Sequence, residues 1–129
     1  MIRKATKTDI LKIHQLIQEA AKKHRVLPRS KKELSDVIDS FFVFETNGNI
    51  IACCALEIYN KKIAEIRSLV VDTKERNKGI GKLLIQACIE KAKKEKLREI
   101  LSITDKVDFF KKCGFDTCLN KQYAMFIHP

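Results

Sequence analysis

RNKGIGK, at residues 76–82, is the stretch that decides the fold of this chain, because it separates a strand-like run from a helix-like run. Upstream, Ile63 to Val71 is rich in β-branched and apolar residues, a composition typical of a strand. Downstream, apolar residues recur at the three- and four-residue spacing of an amphipathic helix; they are Ile80, Leu83, Leu84, Ala87 and Cys88. The sequence therefore predicts a strand, a tight loop and a helix in succession.

The loop itself has the composition of a phosphate-binding segment. Its two glycines carry no Cβ, so backbone N–H groups can approach a ligand closely. The N-terminus of the following helix adds unpaired N–H donors and a partial positive charge. Full positive charges surround the loop at Arg76, Lys78 and Lys82. These features favour a bound diphosphate; the alternative is a solvated turn in which a glycine caps a core helix.

Two common diphosphate-binding motifs are excluded by their spacing. A P-loop has four residues between its glycines, then Lys and Ser or Thr; here one residue separates Gly79 from Gly81, and Leu83 follows Lys82. The dinucleotide fingerprint needs a third small residue three positions after Gly81, where Leu84 stands. What remains, Arg-x-x-Gly-x-Gly, resembles the acetyl-CoA loop of the GCN5-related N-acetyltransferases (GNAT).

A second segment and the order of the elements extend this resemblance over essentially the whole chain. Phe109 to Phe115 resembles the family's second signature, a short helix that ends in Gly-Phe. The other expected elements are a strand before Asp9, a helix from Ile10 to Ala20, a helix capped by Ser30 and Glu33, a hairpin of Phe41 to Glu45 and Ile50 to Tyr59 around Asn47-Gly48, and strands over Leu97 to Ile103 and Tyr123 to Ile127. The resemblance implies one GNAT domain over residues 1–129, of the α/β (α+β) class, with a central mixed, mostly antiparallel twisted sheet flanked by helices.

Within the family, the chain resembles the acetyltransferase domain of the N-acetylglutamate synthases. The similar segments are Val26 to Leu34, Ile38 to Phe41, Ile51 to Leu56 and Ala64-Glu65. This likeness implies transfer of an acetyl group from acetyl-CoA to the α-amino group of an amino acid. Glutamate is the expected acceptor, and arginine biosynthesis is the expected pathway.

The resemblance also assigns cofactor contacts. They are Leu69, Val70, Val71, Arg76, Asn77, Lys78, Gly79, Ile80, Gly81, Lys82, Thr104 and Phe110. A backbone N–H of Leu69 or Val70 is expected to stabilise the oxyanion where the strand splays open, with Ser68 beside the reacting centre. Many members protonate the leaving thiolate with a tyrosine near the second signature, but Phe109 and Phe110 stand there in this chain.

Glu65 is the expected general base. An α-amino group is largely protonated at neutral pH, so a base that removes its proton promotes attack on the thioester. Glu65 is a carboxylate in a strand whose other residues suit the interior. The alternative is that Glu65 pairs with a neighbouring lysine or arginine on the sheet.

Arg29 is expected to hold the acceptor's carboxylate, because a guanidinium clamps a carboxylate with two parallel hydrogen bonds. Leu27, and Arg67 on the same strand face as Glu65, are expected to line the acceptor site. The synthases carry an arginine-bearing C-terminal segment, whereas Lys121 is the one cation between residues 120 and 125 here. Glutamine, another small amine or a protein N-terminus therefore stays open as the acceptor, as does a non-catalytic module that binds acyl-CoA.

The net charge of +10 is concentrated in part in two clusters, Lys22 to Arg25 and Lys91 to Arg98. Such clusters occur in nucleic-acid-binding proteins and also on solvated surfaces that attract acidic ligands. The chain has no tryptophan and few aromatic residues among its basic runs, which disfavours nucleic acid. We expect small-molecule partners, no nucleic acid, and a monomer or homodimer.

The five cysteines include no CxxC pair. Cys53 and Cys54 are adjacent on an expected strand, so they face opposite sides. Cys113, Cys118 and His128 offer three loosely spaced ligands, too few for a structural zinc site. We therefore expect no metal, reduced thiols and a cytoplasmic location. No apolar run reaches the length of a membrane span.

Overall fold

The computed structural model describes all residues from Met1 to Pro129 and is built on a five-stranded sheet. The strands are β1 (Ile2–Lys4), β2 (Phe41–Thr46), β3 (Asn49–Ile58), β4 (Ile63–Val71) and β5 (Glu99–Leu101). They lie in the sheet in chain order; the first four pair antiparallel, and β5 pairs parallel with β4. The expected mixed, mostly antiparallel sheet is therefore confirmed.

Four helices cover the sheet: α1 (Ile10–Lys22), α2 (Lys31–Val37), α3 (Ile80–Lys94) and α4 (Val107–Lys112). Single 3₁₀ turns precede α1, follow α2 and follow β4, at Lys7–Asp9, Ile38–Ser40 and Thr73–Glu75. The capping box predicted for α2 is present, since the Glu33 backbone N–H donates to Ser30 Oγ and the Ser30 N–H donates to Glu33 Oε1. None of these helices has the length and hydrophobicity that crossing a bilayer requires.

Each face of the sheet carries its own hydrophobic core. On one face α1 and α2 pack on the sheet, with Ile13, Ile17, Leu34, Phe41, Val43 and Cys53 among the buried residues. On the other face α3 and α4 pack on it, with Cys54, Leu56, Ile66, Leu84, Ile85 and Phe110 among them. Burial of each large side chain stabilises the fold by about 1.5–3 kcal/mol. Cys53 and Cys54 do lie in opposite cores, as their adjacency on a strand predicts.

The apolar stripe of α3 differs from the predicted one by one position. Leu83 is 50% exposed, and the fully buried positions are Leu84, Ile85 and Cys88. The spacing of three or four residues fits both stripes, so only contact with the sheet decides which side chain is buried. The prediction for Leu83 was therefore wrong, although the helix itself was placed correctly.

Two predicted strands are shortened or missing. The segment Leu97 to Ile103 forms only the three-residue β5, because the Leu97 N–H donates to the Ala92 carbonyl and closes the C-terminal cap of α3. Tyr123 to Ile127 forms no strand at all. Its side chains are exposed, Met125 to 86%, so a β-prone composition without a partner strand did not suffice to make a strand.

Candidate active site

A β-bulge in the middle of β4 defines the centre of the candidate site. Cys53 pairs with Val70 and Ala55 pairs with Arg67, so Ser68 and Leu69 together face Cys54. Ser68 adopts a left-handed backbone with φ of 55°, unusual for a residue other than glycine. The Cys53 thiol donates a hydrogen bond to the Ser68 carbonyl at 3.5 Å and so helps to hold the bulged backbone in place. Burial raises the pKa of this thiol to about 12, so it remains a neutral donor.

The loop after β4 turns the chain into α3. Asp72 accepts the Lys74 N–H through its carboxylate, and Asn77 and Gly79 have positive φ values of 64° and 78°. A Cβ built on Gly79 would meet no atom within 4 Å, so the space in front of this residue is open. The Leu83 N–H bonds to the Gly79 carbonyl, which leaves the N–H groups of residues 80–82 as the unpaired donors of the first helical turn. An open concave backbone with exposed donors fits a diphosphate.

Gly81 lies at a close packing contact between α3 and its neighbours. A Cβ on Gly81 would lie 3.3 Å from Cζ of Phe109 and 3.8 Å from Cγ2 of Val71. A side chain on Gly81 would therefore press against Phe109 where α3 approaches α4 and β4, whereas the space in front of Gly79 is open.

Arg29, Glu57 and Arg67 form an ion cluster beside the bulge. Arg29 Nη1 lies 2.8 Å from Glu57 Oε2 and 3.5 Å from Ser68 Oγ, and Arg67 Nη1 lies 3.6 Å from Glu57 Oε1. The exposed fractions of the side chains are 5% for Arg29, 12% for Glu57 and 32% for Arg67. The Nε of Arg29 is buried without a hydrogen-bond partner. Arg67 is thus the guanidinium of the cluster that is nearer to solvent.

Glu57 is the residue that sequence reasoning missed. It lies directly opposite Glu65 across the β3–β4 ladder, so both carboxylates are on one face of the sheet. The signal that identifies it is the register of the hairpin, which places Glu57 beside Glu65 and Ala55 beside Arg67. The turn between Tyr59 and Ile63 sets that register, and the bulge at Ser68 shifts only the pairs beyond it, from Cys53–Val70 onward.

Glu65 is partly exposed on β4, and its carboxylate accepts a hydrogen bond from the Tyr59 hydroxyl. The expected alternative was a pair with lysine or arginine, and the partner is instead a neutral phenol. This hydrogen bond, with desolvation second, raises the pKa of Tyr59 to about 12, so the hydroxyl stays protonated and keeps its role as donor. The Tyr59 hydroxyl therefore holds the Glu65 carboxylate by a hydrogen bond on the strand face that also carries Arg67.

The other predicted residues range from buried to exposed, with Leu69 and Val71 half-buried. Val70, Ile80 and Phe110 are buried in the cores, where Phe110 packs edge-to-face against Phe109 and Phe115. The exposed ones are Leu27, Arg76, Asn77, Lys78, Lys82, Thr104 and Lys121. Thr104 Oγ1 accepts the Lys106 N–H at the start of α4, and Lys78 pairs with Glu75 at 2.7 Å. Lys121 lies in the turn between Leu119 and Gln122 and makes no salt bridge to the ion cluster.

No cluster of three or more histidine, cysteine, aspartate or glutamate side chains in the structure has the geometry to hold a metal ion. The five cysteines are free thiols. The closest pair, Cys54 and Cys88, is buried with sulfur atoms 3.8 Å apart. The polar groups that converge on the bulge are thus two carboxylates, two guanidinium groups and the strand backbone.

Comparison with known proteins agrees with this architecture. An uncharacterised N-acetyltransferase of Chlorobaculum tepidum is 35% identical over 95% of this chain and 78% of its own length. An amino-acid acetyltransferase of Buchnera aphidicola is 34% identical over 88% of this chain, which spans 26% of that longer protein. The N-acetylglutamate synthase of Neisseria gonorrhoeae, solved with coenzyme A and N-acetyl-glutamate, superposes on 87% of this chain and 27% of its own, with a TM-score of 0.82 and 27% identity.

The model of the acetyltransferase (GNAT) family matches residues 8–115, which include strands β2 to β5, the bulge and the loop before α3. The family resemblance inferred from the Arg-x-x-Gly-x-Gly loop is confirmed. This chain belongs to the GNAT family of acetyltransferases.

Proposed function

We propose that the chain transfers the acetyl group of acetyl-CoA to the α-amino group of an amino acid, with L-glutamate as the preferred acceptor. The observation that carries this proposal is the convergence of Glu65, Arg67 and the Arg29–Glu57 pair on the bulge at Ser68. An acceptor amino acid needs a base for its ammonium group and a cation for its carboxylate, and both lie on this face of β4. The likeness to amino-acid acetyltransferases supports the same acceptor class.

The cofactor site proposed here follows the open backbone before α3. The N–H groups of residues 78–82 hold the diphosphate, with help from the helix N-terminus. The acetyl group then lies beside the bulge, where Leu69, Val70 and Val71 line its path. A backbone N–H of Leu69 or Val70 donates to the oxyanion that forms during attack.

Glu65 takes the proton that the ammonium group must lose. The freed nitrogen lone pair attacks the carbonyl carbon of the thioester, the carbon–sulfur bond then breaks, and the second proton lost by the nitrogen neutralises the departing thiolate. The thiol that leaves has a pKa near 8.5, so its thiolate departs without a dedicated acid. Phe109 and Phe110 have no hydroxyl to donate, which agrees with this route. Tyr59 orients the base through its hydrogen bond to Glu65.

The carboxylate of the acceptor is proposed to meet Arg67 first. Arg29 is the cation expected from the sequence, but its terminal nitrogens already bond to Glu57, and its side chain is buried. Arg67 makes only a 3.6 Å contact to Glu57 and lies nearer to solvent. In this arrangement Arg29 does not contact the acceptor. It holds Glu57 in position and adds its positive charge to the site.

Glutamine is the second candidate acceptor, because its uncharged side chain needs no second cation. Two guanidinium groups face two carboxylates, Glu57 and Glu65, so the site has no surplus cation for a second carboxylate. If glutamate is the acceptor, Lys121 in the exposed C-terminal segment is the additional cation for its side-chain carboxylate. Acetylation of glutamate would place the chain in arginine biosynthesis in the cytoplasm, as a single catalytic domain acting as a monomer or homodimer.

The test is a thiol-release assay with acetyl-CoA against glutamate, glutamine, spermidine and a peptide with a free N-terminus. We expect glutamate to give the highest kcat/KM and mass spectrometry to find the acetyl group on its α-nitrogen. A far higher kcat/KM for spermidine or the peptide would exclude the amino-acid acceptor but not the acetyltransferase. CoA binding without thiol release for any acceptor would mark the chain as a non-catalytic acyl-CoA-binding module.

A further inference from the structure

A cleft lies between the last turns of α1 and the end of β4, on the sheet face opposite α3. Its volume is about 240 Å³. Apolar residues of the α1 core line its inner part, among them Leu16, Ala20 and Val70. Charged side chains line the rest; they are Glu19, Lys22, Lys23, Arg25, Asp72 and Arg76. The cleft is thus lined both by residues of the basic cluster Lys22 to Arg25 and by Arg76, the first residue of the glycine loop.

The four cations of this cleft are not neutralised by the protein. Lys22, Lys23, Arg25 and Arg76 take part in none of the salt bridges of the structure. Of the two carboxylates, Asp72 is engaged with the Lys74 N–H. Like charges brought together around a concave surface repel one another unless an anion lies between them. The cleft therefore has the electrostatics of an anion site.

The end of α1 fixes one wall of the cleft. His24 has a left-handed backbone with φ of 57°, its N–H donates to the Ala21 carbonyl, and the Arg25 N–H donates to the Ala20 carbonyl. This pair of bonds is a Schellman cap, which satisfies the terminal carbonyls of the helix without any side chain. Lys22, Lys23 and Arg25 are therefore free to bind something other than the helix end.

Arg25 and Arg76 are near enough to influence each other. Desolvation lowers the pKa of Arg76, and the positive charge of Arg25 lowers it further. Arg76 also begins the loop that we propose for the diphosphate. Arg76 therefore belongs both to the cleft and to the segment proposed to hold the diphosphate.

We propose that the cleft binds the 3′-phosphate of acetyl-CoA, with Lys22, Lys23 and Arg25 of α1 acting together with Arg76. This inference rests on the proposed use of acetyl-CoA. The diphosphate of the cofactor is a diester with one charge on each phosphorus, and backbone N–H groups suffice for it. The 3′-phosphate is a monoester that carries a charge of about −1.5 to −2 at neutral pH, so it gains most from full positive charges. Guanidinium groups also match its oxygens with paired hydrogen bonds.

Equilibrium binding of CoA and of 3′-dephospho-CoA separates this site from the diphosphate loop. We expect the wild type to bind CoA roughly tenfold more tightly than dephospho-CoA, the difference that one charge-assisted contact gives. Arg25→Ala, and separately Lys22→Ala combined with Lys23→Ala, should weaken CoA binding by roughly five- to tenfold and leave dephospho-CoA binding unchanged. The matched control is Lys12→Ala, an exposed lysine of the same helix outside the cleft, which should keep the wild-type ratio.

Results that differ from these expectations overturn different parts of the proposal. Equal wild-type affinity for the two ligands, or equal losses for both in Arg25→Ala, would overturn the cleft assignment and leave the acetyl-CoA proposal standing. Wild type that binds neither ligand would overturn the proposed function itself. Inorganic phosphate is the remaining probe: if it binds at millimolar concentration without competing with CoA, the cleft is an independent phosphate site and its assignment to the cofactor is wrong.

Discussion

Arg29 and Glu57 form an ion pair in the protein interior, so the loss of either partner leaves the other as an uncompensated charge. We expect Arg29→Ala to lower the free energy of unfolding by about 3 kcal/mol in urea denaturation. Replacement of both partners by apolar residues, Arg29→Met with Glu57→Leu, should restore most of that stability. If the double variant is as unstable as the single one, the buried charge is not the cause.

Replacement of Arg67 tests acceptor binding, because it should change KM for the amino acid without a large change in stability. We expect Arg67→Ala to raise KM for the amino acid about tenfold, because one charge-assisted contact to the carboxylate is lost. Stability should change little, since Arg67 is partly exposed and 3.6 Å from Glu57. Steady-state kinetics with Lys61→Ala as the control measure this. An equal rise in KM for an amine without a carboxylate would contradict the assignment.

Glu65→Gln removes the proposed base and keeps the shape of the side chain. We expect kcat to fall about a hundredfold while the affinity for acetyl-CoA stays the same. Tyr59→Phe keeps the carboxylate but removes its hydrogen-bond donor, so kcat should fall less. Wild-type turnover by the Gln variant from pH 6 to 9 would assign proton removal to another group or to solvent.

Most charges of the candidate site were predicted from residue types, but their partners were not. Glu65, Arg67 and Arg29 do lie around one point of β4, yet Glu57 and Tyr59 emerged only from the structure. Cross-strand neighbours depend on register, which the turn between Tyr59 and Ile63 sets for Glu57 and Glu65, while the bulge shifts only the pairs beyond it. Ser68 gives no compositional sign of its left-handed backbone, since such positions usually carry glycine.

At the scale of elements, Gly81 sets how closely α3 approaches α4. We expect Gly81→Val to lower the free energy of unfolding by about 2 kcal/mol, because its side chain would be forced against Phe109. CoA affinity should fall with it, since the donors of the first helical turn shift.

A double variant distinguishes a packing role of Gly81 from direct contact between residue 81 and the ligand. Phe109→Leu makes room for the added side chain, so Gly81→Ala with Phe109→Leu should recover stability and CoA affinity relative to Gly81→Ala alone. Calorimetric binding and thermal unfolding measure both quantities. A recovery of stability without recovery of affinity would mean that the new Cβ obstructs the ligand itself.

Local signals with a defined geometry placed several elements correctly: the Asn-Gly turn for the β2–β3 hairpin and the capping box for α2. Composition alone placed β4 correctly but did not suffice for the two later strands. The segments at Leu97 and Tyr123 had composition alone. For Leu97 the C-terminal cap of α3 was the stronger local interaction. For Tyr123 the sheet offered no paired neighbour.

At the scale of the whole molecule, Arg3 joins three elements. Its guanidinium bonds to Asp9 at the start of α1 and to Glu45 in β2, with distances of 2.8 Å to both carboxylates. The hydrogen bond from Arg3 is the main cause that holds the pKa of Asp9 below its ordinary value. A depressed folded-state pKa stabilises the protein above the unfolded-state value of about 4, and this stabilisation is lost as pH falls through the folded-state pKa.

We therefore expect Asp9→Asn to lower the free energy of unfolding at pH 7 by about 2 kcal/mol. The difference from wild type should shrink as the pH falls below about 4, because wild-type Asp9 then becomes protonated. Urea denaturation at pH 7, 4 and 3 measures this. Asp36→Asn is the control, since Asp36 is exposed and makes no salt bridge. A difference that stays constant down to pH 2.5 would show that the Arg3 contact does not act through charge.

The strands lie side by side in the order in which the ribosome makes them. Each of β2, β3 and β4 can pair with its predecessor as soon as it emerges, so that by Val71 four of the five strands and the core on the α1 face are present. The opposite face, with Cys54, Leu56 and Ile66, stays bare until α3 has been synthesised. Synthesis between Val71 and Lys94 is therefore the interval in which the nascent chain exposes a paired but uncovered apolar surface, the state most exposed to aggregation and to capture by chaperones.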